Sequence, residues 1–480
     1  MTVCSIFFVK KWRDYSLNLK QRIFKKENLS RYLDKDGRLA KTLSAGDLIA
    51  LGIGAVIGTG IFILPGTVAA LHSGPSIILS FVVAAIICST AAMCYAEFSS
   101  ALPIAGSAYS FGNIVFGEIV GWFLGWALIL EYMLAVAAVS TGWSAYFNSF
   151  IAGFGFQIPK AISGNFDPAH GTYVNIVAIL IVLFISFILS KGVKTSIRIN
   201  NIIVVVKIAI IFLFLLVGMF YVKPANWHPF YPFGYHGVLK GASLVFFAYL
   251  GFDVVSATAA EVKNPRKNMP IGIIGTLLIC TVLYILVSVV LTGMTSYTKL
   301  DVANPVSYAL QLVHLNWVAG IISIGALAGM FTMMVTMIYS SSRLIYSIGR
   351  DGLLPKFLGE VSSKHHTPNK SMLFVTIIIS FMGGFVSLTQ LTNLVNIGTL
   401  IAFTFVSIGI IPLRKRKDIP NDGFKVPFYP FLPIVSTLLC ILMLTQLSKE
   451  TWIASIIWFI IGMIIYFTYG IKHSQITKLD

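Results

Sequence analysis

The run LIALGIGAVIGTGIF, residues 48–62, is apolar enough to enter a membrane yet places four glycines within fifteen residues. A helix there should break. Gly58, Thr59 and Gly60 give the chain a place to unwind, because glycine costs a helix interior about 1 kcal/mol relative to alanine and admits backbone angles that other residues avoid. Unwound backbone at membrane depth is tolerated only where it lines a cavity or is buried in protein. The stretch therefore predicts a binding site at the bilayer midplane, held in place by the rest of the chain. Small residues can also serve close helix packing alone; the density of this run, paired with a second broken segment, favours a site.

The surrounding chain has the composition of a polytopic membrane protein. Of its 480 residues 57% are hydrophobic and 11% charged, with mean hydropathy +0.85, against roughly 25% charged in soluble domains. Twelve apolar runs are long enough to span a bilayer. Their extents are 46–70 (interrupted), 76–100, 119–149, 174–190, 197–221, 238–260 (interrupted), 271–294, 317–345, 371–388, 392–412, 429–447 and 451–471.

With twelve spans both termini lie on one side, and the basic residues indicate which. In an N-in arrangement the cytoplasmic segments hold 29 of the 35 Lys and Arg, the external loops hold 5, and Lys207 falls inside the fifth span. The positive-inside rule then predicts cytoplasmic N and C termini in the cell membrane. The same asymmetry accounts for the net charge of +17, so a nucleic-acid partner is not expected, and no recognition module is visible. The basic tail 1–45 is expected along the anionic cytoplasmic face. Cys4, Cys88, Cys94, Cys280 and Cys440 suggest neither a disulfide framework nor a metal site.

About 190 residues after the first broken run comes the second, GASLVFFAYLGFDVVSATAA at 241–260, with Tyr249, Gly251 and Asp253 in its middle. Interrupted spans at the first and sixth positions predict two five-helix units, 46–221 and 238–412. Five is odd, so the second enters from the opposite side, giving the inverted-repeat architecture of many secondary transporters. Spans 429–471 and the tail 472–480 lie outside the repeats.

Half-helix direction gives this site a chemistry. The second half of span one begins near Gly60 with unsatisfied N–H groups and the positive end of a dipole, where a carboxylate fits. The first half of span six ends near 247–250 with free carbonyls, where an ammonium fits. A zwitterion bearing both groups on one carbon satisfies both ends, which points to an α-amino acid.

Four side-chain features bear on this reading. Asp253, costly to bury as a charge, is expected to cap the second half of span six through its backbone N–H groups. Glu131, inside span three, could neutralise a cationic substrate, carry a proton or join a buried network. Lys207 could snorkel to the interface or serve as the coupling cation, since an amine taken out of water can exchange its proton during a cycle. Met330, Met333 and Met334 of span eight could line the side-chain pocket, Met330 being the one carried forward, although core packing is the commoner role for methionine.

Several stretches resemble the amino acid–polyamine–organocation transporters, and within them the bacterial cationic-amino-acid-transporter-like permeases. They are DLIALGIGAVIGTGIF (47–62), YAEFSSALPIAGSAYSF (95–111), ILEYMLAVAAVSTGWSAY (129–146), RINNIIVVVKI (198–208), FFAYLGFDVVSATAAEVKNPRKNMPIGI (246–273) and SRLIYSIGRDGLLP (342–355). The resemblance implies an all-α, LeuT-type 5+5 inverted repeat with broken helices 1 and 6 plus helices 11 and 12, and proton-coupled import of cationic or small neutral amino acids. It implies carboxylate binding at Gly58, Thr59 and Gly60, and amine binding at the carbonyls of Phe247, Ala248 and Leu250. It further implies an aromatic gate at Phe252, a pocket or network role for Glu131, and Lys207 in place of a sodium site. Two departures stand out: Ala260 precedes Glu261 where the family usually has a second acid, and the segment before about residue 43 matches nothing.

The leading expectation is a proton-coupled amino acid symporter with no cofactor; the partners are substrate, bilayer and a possible small accessory subunit. An amino acid/amine exchanger is the close rival and a non-transporting nutrient sensor a third. A membrane enzyme is not expected, for the chain has no paired intramembrane aspartates, no HExxH and no Ser–His–Asp grouping.

Overall fold

A computed structural model describes residues 23–27, 29, 41–104, 106–191, 197–362, 367–420 and 422–475. Most of the basic tail 1–45, the side chain of Arg198 and the end of the C-terminal tail, 476–480, lie outside the described residues. The described chain is helical, with three isolated β-bridges in place of any sheet. Eight helical stretches are long and apolar enough to cross a membrane, and four more apolar helices of 10–17 residues accompany them. This is a multi-pass membrane protein.

The first broken run behaves as its glycines dictate. Helix α1 (Ala45–Val56) begins with a capping box in which Ser44 and Asp47 satisfy each other's backbone N–H groups. It ends at Ile57 in extended conformation, and the chain restarts as the short α2 (Thr59–Phe62) and α3 (Leu64–Val68). Gly74, at φ +62°, then turns the chain into α4 (Ile77–Ala101). The second broken run consists of α9 (Gly234–Val245), a 3₁₀ turn (Phe246–Tyr249) and α10 (Phe252–Ser256). Gly251 joins them at φ +117°, a conformation only glycine adopts at low cost. Both breaks fall where the sequence places them.

Between and after these lie α5 (Ser107–Val115), α6 (Glu118–Ala152), α7 (Ile176–Ser190) and α8 (Ile197–Met219). Then follow α11 (Pro265–Met294), α12 (Pro305–Leu312), α13 (Asn316–Arg350), α14 (Asn369–Phe385), α15 (Leu388–Lys415), α16 (Phe431–Thr445) and α17 (Lys449–Ile465). The pairings recur in two sets. Helix α1 packs on α11 and α8, as α9 packs on α4 and α15; α8 packs on α11 and α13, as α15 packs on α4 and α6. Helices α16 and α17 stay peripheral, and most of α17's apolar side chains face outward.

The short buried helices α5 and α12 and the paired loop 153–175 have no counterpart in the sequence reading. The two helices are too short, at 9 and 8 residues, and the loop too polar to show a span-length apolar run.

Candidate functional site

At the centre the two breaks touch. A Cβ built on Gly60 would lie 2.7 Å from the Cα and Cβ of Ala248, and one on Gly251 would lie 2.9 Å from the carbonyl of Ala55. Only glycine permits this approach, so the glycines that interrupt the helices also bring the interruptions together. Thr59 and Gly60 open α2, where backbone N–H groups have no partner one turn earlier. The Thr59 hydroxyl is fully buried without a hydrogen-bond partner, while its methyl packs on Gly142 of α6. Buried polar atoms are rarely left unpaired in so dense a core.

On the facing break the three carbonyls differ. The Phe247 oxygen accepts from the Leu250 N–H at 3.2 Å. The Ala248 oxygen accepts from the Tyr284 hydroxyl at 2.6 Å, and the same hydroxyl lies 3.3 Å from the Val56 oxygen. Tyr284, which sequence reasoning missed, thus bridges both broken helices. The Leu250 residue is extended at the break itself.

Lys207 is buried, 1% exposed, and does not snorkel outward. Its ammonium donates to the carbonyls of Gly54 and Ile57, each at 3.0 Å, in the last turn of α1. Its stem lies against Gly329 of α13. Last-turn carbonyls lack intrahelical donors, and a cation at the negative end of the helix dipole supplies them.

Asp253, in the first turn of α10, accepts a 2.7 Å hydrogen bond from the Tyr132 hydroxyl. Its carboxylate also lies against the backbone N–H groups of Gly251, Asp253 and Val254, with no hydrogen bond of full geometry to Oδ1. Glu131, the neighbour of Tyr132 on α6, packs beside Gly398 and Thr399 of α15; neither of its oxygens has a hydrogen bond of full geometry. Phe252 stands edge-on to the ring of Tyr95, 5.8 Å between centroids, and 5.1 Å from that of Phe403. Phe403 also packs on Phe246, before the break, with 5.8 Å between centroids.

A cavity of about 410 Å³ opens above the breaks, lined by Ile63, Leu64, Thr141, Gly142, Leu244 and Thr392 among others. Gly142 belongs both to this cavity and to the Thr59 contact, so the cavity floor lies one layer above the breaks. On the opposite side two segments are joined. The N–H groups of Thr42 and Leu43 both donate to the Glu261 carbonyl, and that of Lys263 donates to Leu43. These bonds clamp the segment before α1 to the segment after α10.

Among the three methionines of α13, it is the Met333 sulfur that faces Gly58, 2.3 Å from where a Cβ would be. Met330 is fully buried one turn away. A three-residue step along a helix keeps residues on one face, so the sequence could not separate these two. No group of three or more His, Cys, Asp or Glu side chains that could hold a metal occurs among the described residues.

The sequence matches the model of a family described as amino acid permease over residues 43–466. It is 50% identical to the methylthioribose transporter of Bacillus subtilis (strain 168), covering 92% of this chain and 96% of that protein. It is 45% identical to a branched-chain amino acid permease of the same organism, covering 96% of this chain and all of the relative. A vacuolar cationic amino acid transporter of Arabidopsis thaliana is 36% identical over 81% of this chain and 65% of its own length.

Proposed function

The chain belongs to the amino acid permease family, and from that membership and its paired helix breaks we propose that it is a secondary active transporter importing L-amino acids by alternating access. The family is one of permeases and not of enzymes. The observation that carries the proposal is the juxtaposition at Gly60 and Ala248 of two half-helix ends of opposite polarity. Beside them the unpaired Thr59 hydroxyl offers a polar contact. In this reading the substrate carboxylate binds at Gly58, Thr59 and Gly60, and its ammonium at the carbonyls of Phe247, Ala248 and Leu250. The Leu250 oxygen takes the larger share, because those of Phe247 and Ala248 already accept hydrogen bonds.

The twelve-span, 5+5 arrangement is part of the proposal. It is supported by the two sets of matching helix pairings and by the equal length, 12 residues, of the first halves α1 and α9. In the N-in orientation the cavity is an external vestibule and the clamp at 42–43 and 261–263 closes the cytoplasmic side. Phe252 is the proposed aromatic gate of the site. A cysteine replacing exposed Phe156 is expected to react with an impermeant maleimide on intact cells, and one replacing exposed Lys356 is not. The reverse pattern would invert the topology. Cys88, Cys94, Cys280 and Cys440 are buried and give a quiet background once Cys4 is replaced.

Lys207 is the proposed coupling group, its proton standing where a sodium ion would otherwise bridge the last turn of the first broken helix. For the substrate we favour neutral aliphatic amino acids. The thioether of Met333 limits the pocket at Gly58, and the branched-chain permeases are more similar to this chain than the cationic transporters are. Asp253 and Tyr132 then form a buried hydrogen-bonded pair in the core, with Glu131 next to Tyr132 on α6.

A second reading, a methylthioribose-type thiosugar as substrate, is favoured by the 50% identity to a transporter of that compound. Uptake of labelled leucine, arginine and methylthioribose into proteoliposomes separates the readings. Leucine is expected to accumulate, with arginine slower. Accumulation of methylthioribose alone overturns the amino acid reading, and leucine uptake that needs internal amino acid but no gradient identifies an exchanger.

A further inference from the structure

Lys207 has a counterpart in the other half of the molecule. From α15, the side-chain amide of Asn396 donates to the carbonyl of Ser243 in α9 at 2.7 Å, as Lys207 donates from α8 to Gly54 in α1. The spacing is the same throughout: 189 residues separate Lys207 from Asn396, Gly54 from Ser243, Ala45 from Gly234 and Val56 from Val245. Gly54 and Ser243 are each the third residue from the end of their α-helix, α1 stopping at extended Ile57 and α9 tightening into the 3₁₀ turn Phe246–Tyr249, so the regular i→i−4 pattern of donors ends there. Deep in an apolar core such an oxygen needs a side-chain partner. Each broken helix thus receives one, from a residue that is 1% exposed in one case and 0% in the other.

The two donors differ in what they can do. An ammonium can give up its proton and an amide cannot. They also serve opposite sides. Leu244, next to Ser243, and Thr392, one turn before Asn396, both line the vestibule, whereas the Lys207 tether holds the half-helix whose start is clamped shut. The Asn396 bond is present while the vestibule is open, and its Oδ1 has no partner, so a single neutral hydrogen bond ties the amide to α9.

We propose that Asn396 is a positioning residue of the transport cycle: it holds the first half of the second broken helix against α15 and favours the vestibule-open arrangement, independently of protons. The assignment rests on the alternating-access reading above and complements the role of Lys207.

The test places a cysteine at Leu71, an exposed vestibule residue, in nanodisc-embedded full-length protein with Cys4 replaced. Maleimide labelling rates are compared in the Asn396 parent, Asn396→Leu and Asn396→Ala. Loss of the bond is expected to slow labelling by about three- to tenfold, the equivalent of one net neutral hydrogen bond. The KM of uptake should rise by a similar factor with its pH profile unchanged, and Asn396→Gln, which keeps the donor, should recover part of both. Asn396→Ala, the smaller change, decides the matter if Asn396→Leu inserts poorly. Labelling that stays at the parental rate in the folded variants, or an uptake pH profile that shifts, overturns the assignment. Because labelling needs neither substrate nor gradient, failure of the amino acid reading leaves this result interpretable.

Discussion

Lys207→Met protein is expected to insert and fold with reduced stability, to bind and exchange substrate, and to show no stimulation of uptake by an inward proton gradient. Methionine fills the volume of the lysine stem beside Gly329 but leaves the Gly54 and Ile57 carbonyls without their donor, at about 1–3 kcal/mol for each buried polar group left unpaired. Melting temperature should therefore fall. What disappears is the cation bridging the Gly54 and Ile57 carbonyls, and with it the link between a proton and the position of α1. Counterflow measured alongside net uptake checks both parts. A variant that remains gradient-driven would assign Lys207 a structural role only.

Gly60→Ala is expected to cost the most per atom added. The new methyl would stand 2.7 Å from the Cα and Cβ of Ala248, and since backbone is involved on both sides neither partner can swing away. Overpacking of this kind costs about 1–3 kcal/mol, which corresponds to roughly 5- to 150-fold in substrate affinity. The strain is concentrated on the two half-helix ends that form the site, so affinity should fall more than expression. Gly320→Ala is the matched control. Nothing lies within 4 Å of its added Cβ, and alanine is the better helix former, so that variant should transport normally and melt slightly higher. Equal affinity in the two variants would remove the contact at Gly60 from the account.

Comparison of these residues shows which parts of the site were legible in the sequence. Glycine density marked the first break and a polar middle at Tyr249, Gly251 and Asp253 the second, because the cost of unwinding is local and written in the residue type. A lysine flanked by apolar residues drew notice for the same reason, yet whether its ammonium turned inward depended on α1 packing against α8, which sequence spacing does not express. Tyr284 was passed over because a tyrosine inside an apolar helix reads as core, and its hydroxyl acquires meaning only from the Val56 and Ala248 carbonyls beside it. Met330 and Met333 share a helix face, so choosing between them needed the neighbour, Gly58. Phe252 entered through the family resemblance, and its packing on Tyr95 and Phe403 depends on helices far away in sequence. Asn396 was invisible for a related reason, since the register between the two halves emerges only when both helix ends are known.

In the proposed function the paired breaks hold one molecule by a carboxylate and an ammonium on the same carbon. Competition against labelled leucine uptake in proteoliposomes tests it most directly, using leucine, leucinamide, 4-methylpentanoate, isopentylamine and methylthioribose as competitors. The account predicts strong competition by leucine and little by the analogues that lack either group. Competition by methylthioribose equal to that of leucine, or by an analogue with only one of the two charges, would contradict it.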